Sequence, residues 1–221
     1  PLAVMQHLGG GSLQDRREAN PAEFVKAVRS PSAFNWLLNI ADALDFVHRQ
    51  GYVHRDVKPA NILFDDHGNS YLSDFGVAKV LSDASSREHS AALTGTGLVV
   101  GTPEYMAPEL VLGEAFDGRA DQYALAITVF EVLAGQRPIT GTNASATLVA
   151  QTTQAPRELS ECVSAAPPEL CTAIRKALSK SPSDRFPSCK TFARAVVIAV
   201  QNAANAGVGD ETRTTCPVCQ K

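Results

Sequence analysis

The apolar positions change period several times along the chain, and each change marks an element. Residues 1–8, PLAVMQHL, form a nearly unbroken apolar run, the pattern of a short buried strand, which Gly9, Gly10 and Gly11 end in a flexible connection. Ser12 stands where it would cap a short polar helix. From Phe34 through Leu37, Leu38, Ala41, Leu44 and Val47 the apolar side chains recur at helical spacing. That spacing predicts one long amphipathic helix, with Ser30 and Pro31 as start signals and Gly51 as the stop. Two short stretches, YVH and ILF, and a third, YLS, beyond a turn at Gly68 and Asn69, read as small strands.

Residues 82–97 turn to Ser, Thr, Ala and Gly without periodicity, which predicts a long loop. Residues 122–133 are apolar on nearly all sides and read as a helix at the domain centre, stopped soon after by Pro138. Two amphipathic helices over 168–178 and 188–202 flank SPSDRFPS, and the Ala, Gly, Asn and Thr beyond Asn202 read as a linker. The whole is mainly α, with a few short β-strands.

With 221 residues, 44% apolar and 19% charged, the chain has enough material for one sizeable core. A formal net charge of -3 gives no general electrostatic reason to bind nucleic acid or an anionic membrane. The opening run is too short for a membrane span and lacks the charged start of a signal peptide, and with Pro1 at its head the chain reads as part of a longer protein. Cys162, Cys171 and Cys189, scattered through helical sequence, make no disulfide framework, so a reducing, cytoplasmic setting is expected.

Candidate chemistry is concentrated in three places. His54-Arg55-Asp56-Val57-Lys58-Pro59-Ala60-Asn61 puts a carboxylate, an ammonium and an amide in one loop. A carboxylate can orient a hydroxyl and take its proton, an ammonium can neutralise a phosphoryl group, and an amide oxygen is a hard ligand for Mg²⁺. Asp74-Phe75-Gly76 adds a second hard carboxylate beside an apolar anchor and a flexible joint, and Gly101-Thr102-Pro103-Glu104-Tyr105-Met106-Ala107-Pro108-Glu109 follows the loop.

In that order and spacing, HRDVKPAN, DFG and APE resemble the signature set of the protein kinases, in a style closest to bacterial members of the family. The resemblance covers roughly residues 1–202 and implies a kinase C-lobe: a hinge strand and connection over 1–13 and the lobe over 14–202 with its activation loop at 77–106; beyond it, composition reads 203–221 as a linker carrying a cysteine pair. It implies ATP with Mg²⁺ or Mn²⁺ as cofactors, and Ser/Thr hydroxyls of protein substrates as acceptors. By it Asp56 is the catalytic base, Lys58 the phosphate-contacting lysine, and Asn61 and Asp74 the metal ligands, with Thr102 lining the acceptor site. Met5, Gln6, Leu8 and Leu63 would border the adenine, with Met5 as gatekeeper. Glu109 and Arg185 would form a buried ion pair, and Asp121 would hold the HRD backbone. Thr94 and Thr96 are the expected activation-loop phosphosites, with Arg55 as their partner.

His54 reads as a packing and hydrogen-bonding residue. His7, His48, His67 and His89 have no partner spacing for a metal and read as surface residues. Cys216-Pro217-Val218-Cys219 resembles the first half of a zinc ribbon, so zinc is expected there only if further ligands lie beyond Lys221. Nothing in the chain matches the glycine-rich phosphate loop, the strand lysine or the helix glutamate of the family, so an N-lobe of the same protein is an expected partner, and the chain alone is expected to be weak or inactive. Three functions stay open: an active serine/threonine kinase, a pseudokinase binding module, and a scaffold acting through its cysteine tail. Asp56, Lys58, Asn61 and Asp74 together weigh against the second, which has no chemical need for all four.

Overall fold

The computed structural model describes residues 8–74, 79–80 and 101–211. Helix α1 (Leu13–Ala19) opens with a reciprocal cap: the Ser12 hydroxyl accepts the Asp15 N–H at 3.1 Å, and the Asp15 carboxylate accepts the Ser12 N–H at 2.8 Å. Just before it, the glycine run is fixed rather than flexible. Gly10 N–H donates to the Phe64 carbonyl and Phe64 N–H to the Gly11 carbonyl, both at 2.9 Å, which lays the segment beside a strand. A Cβ on Gly10 would collide with the carbonyl oxygens of Asp65 and Phe64, so close backbone approach, not mobility, requires glycine there. Of the expected opening strand, only Leu8 lies within the described residues.

The strands are short, as expected. β1 (Tyr52–Val53) pairs antiparallel with β4 (Lys79–Val80), and β2 (Ile62–Phe64) pairs antiparallel with β3 (Ser70–Leu72), with Ile62 opposite Leu72 and Phe64 opposite Ser70. The Asp65–Asn69 turn between the latter two is closed by Asp65, whose carboxylate accepts the N–H groups of His67 and Asn69.

A second short helix, α2 (Pro21–Lys26), precedes the long one and was not visible in the apolar pattern. Pro31–Phe34 forms a single tight 3₁₀ turn rather than the first turn of the long helix, and α3 (Asn35–Arg49) follows it, burying Trp36, Leu37, Ile40, Ala41 and Leu44 on one face. After the short α4 (Pro108–Leu112) comes α5 (Arg119–Ala134), buried almost all round from Ala120 to Leu133. It ends at Gly135, whose φ of 74° is the left-handed C-terminal cap, before Pro138 is reached. The helices α6 (Ala144–Thr153), α7 (Leu159–Cys162) and α8 (Pro168–Ala177) lead to α9 (Cys189–Glu211). This last helix runs past the boundary expected at residue 202, so 203–211 is helical and not linker. Ala203, Ala204 and Ala206 are strong helix formers and carry it on. Cys216 and Cys219 lie outside the described residues.

One apolar cluster joins these parts, with Phe34, Leu37, Tyr123, Phe130 and Phe192 among its fully buried members. Among the described residues no buried side-chain nitrogen or oxygen lacks a hydrogen-bond partner, and no helix is long and apolar enough to cross a membrane.

Two polar devices tie distant segments together. Asp45 of α3 caps α9, accepting the N–H groups of Cys189 and Lys190 at 2.9 and 3.1 Å. Arg185 pairs bidentately with Glu109 at 2.7 and 2.8 Å, and its remaining N–H groups donate to the carbonyls of Ser179, Lys180 and Arg119. Both side chains are buried, so the expected ion pair is present with every guanidinium donor occupied. Replacing Arg185 by alanine strands the Glu109 carboxylate and should lower folding stability by about 3–5 kcal/mol. A urea midpoint unchanged from the parent in Arg185→Ala would show that the pair contributes nothing net.

Candidate active site

The loop that enters the site starts from β1 and is shaped by its own side chains. His54 is fully buried, and its ring bridges two segments. A carbonyl only accepts, so Nε2 carries the proton it gives to Ser73 O at 2.9 Å, leaving Nδ1 to accept the Asp56 N–H at 3.3 Å. This is the structural role expected of His54. Beyond it, Asp56, Lys58 and Thr102 form a closed triangle. Lys58 Nζ donates to Asp56 Oδ2 at 2.7 Å and to Thr102 Oγ1 at 2.8 Å, while the Thr102 hydroxyl donates to Asp56 Oδ1 at 2.7 Å. Asn61 Nδ2 adds bonds to the Asp56 carbonyl at 2.8 Å and to Oδ2 at 2.9 Å. Residues 46 positions apart in sequence thus meet at one carboxylate.

The loop is held from below by Asp121. This fully buried carboxylate accepts the N–H groups of His54 and Arg55 at 2.8 Å each, and at 2.7 Å faces His48 Nε2. Arg55 has φ 66°, in the left-handed region that costs an L-residue roughly 1–2 kcal/mol. With its own amide and that of His54 committed to one carboxylate, and the Asp56 amide to the His54 ring, that conformation is imposed and Asp56 is aimed at Thr102. Asp74, at φ 63°, is the other non-glycine residue with positive φ among those described.

Asn61 also connects to Asp74. Its carbonyl accepts both the N–H and the hydroxyl of Ser73, and the Ser73 hydroxyl lies 3.2 Å from Asp74 Oδ2. Asn61 Nδ2 is spent on Asp56, no hydrogen bond to its Oδ1 is made among the described residues, and Asp74 is exposed nearby, so this oxygen could serve a cation. Two hard oxygen donors from adjacent segments suit Mg²⁺ or Mn²⁺.

The structure therefore brings Asp56, Lys58, Asn61 and Thr102 into direct contact, links Asp74 to them through Ser73, and sets Asp121 and the Glu109–Arg185 pair as supports. Leu8 and Leu63 are half-buried near the Gly10–Phe64 pairing. Met5, Gln6, Thr94 and Thr96 lie outside the described residues. The surface reading of His48 is corrected: it is half-buried and bonded to Asp121. Its position was legible after all, one helical turn beyond Leu44 on the buried face of α3. Gln151 was missed as well. It is fully buried, accepts from the Tyr123 hydroxyl and donates to Glu104 O, which braces the segment after Thr102.

Burial by itself raises the Asp56 carboxyl, but the hydrogen bonds from Lys58, Thr102 and Asn61 outweigh it and hold the group below the usual carboxylate value. A depressed folded value means that its stabilisation is complete above the unfolded carboxyl near pH ~3.9 and is lost as pH falls through the folded one. In Lys58→Ala the Asp56 titration should move upward, so that this loss begins at higher pH. Carboxyl-carbon NMR of Asp56 in both proteins checks it, and an unmoved titration would leave Thr102 and Asn61 as the sole cause.

Comparison with known proteins points to one family. The protein kinase domain family matches residues 2–197. Serine/threonine-protein kinase PknF of Mycobacterium tuberculosis is 38% identical over 199 residues, which are 88% of this chain and 40% of that protein. Pkn1 of Myxococcus xanthus is 41% identical over 204 residues, 90% of this chain and 28% of the relative. PknJ of Mycobacterium bovis is 36% identical over 210 residues, 92% of this chain and 33% of the relative. The chain thus spans well under half the length of these relatives. With the protein kinase domain family matched across most of its length and relatives 36–41% identical over most of the chain, the chain belongs to the protein kinases, of the bacterial serine/threonine type.

Proposed function

We propose that this chain supplies the catalytic C-lobe of a kinase that transfers the γ-phosphoryl group of ATP to serine or threonine hydroxyls of protein substrates. The observation that carries this reading is the Asp56–Lys58–Thr102 triangle. An acceptor hydroxyl taking the place of the Thr102 hydroxyl at Asp56 Oδ1 would be oriented toward a phosphoryl group beside Lys58. Its oxygen bonds to phosphorus, the bond to the ADP oxygen breaks, and its proton passes to Asp56. A carboxylate held below its usual value is a weak base, so Asp56 works chiefly by orientation, which suffices for a loose transition state. Asn61 Oδ1 and Asp74 would hold the divalent ion, which when bound neutralises the phosphates. Leu8 and Leu63, with Met5 and Gln6, would border the adenine. The free thiols of Cys162, Cys171 and Cys189 support a reducing, cytoplasmic setting.

In a protein that joins this chain to a phosphate-covering lobe, Asp56→Asn should abolish transfer to a generic acceptor while the thermal transition stays within a few degrees. Retained phosphorylation would remove Asp56 from the mechanism. The same assay on the 221-residue chain alone should give at most trace transfer, because it contains no glycine-rich loop or strand lysine of the family pattern.

Regulation is proposed through Thr94 and Thr96. Burial pushes the Arg55 guanidinium below its ordinary value, partly offset by the Asp121 charge, so an incoming phosphate dianion would meet a cation shielded from water. Phosphate on either threonine would pair with Arg55 and order the loop. Mass spectrometry of the active protein should find phosphate there, and Thr94→Ala with Thr96→Ala should lower activity several-fold. Full activity without any phosphate at these positions would sink the proposal.

A further inference from the structure

Where α3 ends and α9 begins, three different metal-binding side chains converge on the side of Asp121 away from the site. Asp45, His48 and Cys189 each offer a ligand atom, and these atoms lie within 4.8 Å of one another. Two of the residues are half-buried and Cys189 is buried. We propose that this cluster is a binding site for a divalent transition-metal ion of the zinc type, held by Asp45 Oδ1, His48 Nδ1 and Cys189 Sγ, with solvent as fourth ligand.

The imidazole is prepared for the task. Asp121 already accepts two backbone N–H groups and acts as an acceptor, so the 2.7 Å contact requires His48 Nε2 to carry the proton. Nδ1 is then the basic nitrogen. Among the described residues it accepts no hydrogen bond, and its closest carboxylate is Asp45 Oδ1 at 3.9 Å. A histidine that donates one nitrogen to a carboxylate while the other faces a ligand cluster has the arrangement that orients metal-binding histidines.

Gly118 leaves that lone pair open. A Cβ built on it would meet Nδ1, with Cγ and Cε1 at an equal 2.6 Å, which places it over the ring face and not in the ring plane. The glycine therefore stacks flat on the imidazole, and any larger residue would displace the ring. Solvent reaches Asp45 and His48 through a groove of about 470 Å³ that Gly118 and Ser188 also border, with the buried Cys189 behind them. Arg49 and Arg119 also border this groove, but Arg119 is engaged by Asp117 and the Pro182 carbonyl, and Arg49 lies over the Phe46 ring.

The chemistry of the donors fits the ion. Carboxylate, imidazole and thiolate together suit zinc, and three protein ligands plus water is its open tetrahedral form. Bonds of roughly 2.0–2.3 Å place ligand atoms about 3.3–3.8 Å apart, so the pair at 3.9 Å is nearly in place and the others need side-chain shifts of about 1 Å. Asp45 keeps Cys189 in position by accepting its N–H. Burial and the nearby Asp121 and Asp45 charges push the Cys189 thiol up, so without metal it stays protonated. On binding, the thiol proton leaves to solvent and the cation takes its place between the anionic groups.

The test uses the full chain carrying Cys216→Ser and Cys219→Ser, which removes the cysteine tail as a competing site. Freed of metal under reducing conditions and titrated with zinc, it should bind one equivalent. With cobalt it should show thiolate-to-metal charge-transfer absorption. Cys189→Ala in that background should lose the cobalt band and weaken zinc binding by more than the roughly 10 to 100-fold that loss of a supporting group costs. Asp45→Asn is the second variant, expected to weaken binding at least about tenfold while Cys189 is retained. Absence of stoichiometric zinc, or of the cobalt band in the chain that keeps Cys189, overturns the proposal without any reliance on how Cys189→Ala folds. So does zinc binding that persists in a folded Cys189→Ala chain.

Discussion

The carboxylate of Asp121 accepts from His54 N, Arg55 N and His48 Nε2, and the shape of the whole catalytic loop depends on that convergence. A buried carboxylate is costly unless its oxygens are saturated with donors, and here three donors arrive from two segments. In return the two amides are fixed, Arg55 is held at positive φ, and Asp56 is presented to Lys58, Asn61 and Thr102 in one geometry. Without the anchor, nothing in the local sequence would favour a left-handed arginine.

Asp121 is one of three successive α5 residues that reach out in different directions. Gln122 uses both ends of its amide on the backbone of Phe186, accepting its N–H at 3.0 Å and donating to its carbonyl at 2.9 Å. Tyr123 donates to Gln151, which in turn donates to Glu104 O, while the Arg185 guanidinium stacks 4.8 Å from the Tyr123 ring. Successive helical positions differ by about 100° in direction, so one turn of a wholly buried helix can serve the catalytic loop, the 186 segment and the segment after Thr102 at once. This accounts for buried polar residues in the first turns of a helix that is apolar over most of its remaining length. The site is rigid because its parts share one internal post.

Much of this was legible from residue order. The contacts among Asp56, Lys58 and Thr102 and the Glu109–Arg185 clamp were each expected from motif and resemblance, since these positions follow directly from the motif order and from a buried charge. Periodicity placed α3, α5 and α8 within a few residues. What it missed has physical reasons. α2 is too short to show a period, and α6 has little contrast between its faces. The end of α9 was hidden because alanine-rich sequence reads as linker by composition while favouring helix by propensity. His48 was read as exposed because a lone histidine carries no pattern, although its register with Leu44 gave it away. Gly10 was taken for a flexible joint when the neighbouring carbonyls demand it, a constraint that exists only once β2 lies alongside.

The cap that Asp45 places on α9 joins residues 144 and 145 positions apart, and the Glu109–Arg185 clamp spans 76. Contacts of such separation form late, because the chain between them must first be brought together. During synthesis the loop bearing Asp56 is made before the helices that pack against it, and α3, which carries His48, has no partner for its Asp45 end until Cys189 has left the ribosome. Between the synthesis of Asn61 and that of Asp121, the nascent chain holds Asp56, Lys58 and Asn61 without the carboxylate that aims them. Over that interval the loop is chemically equipped and geometrically unarmed.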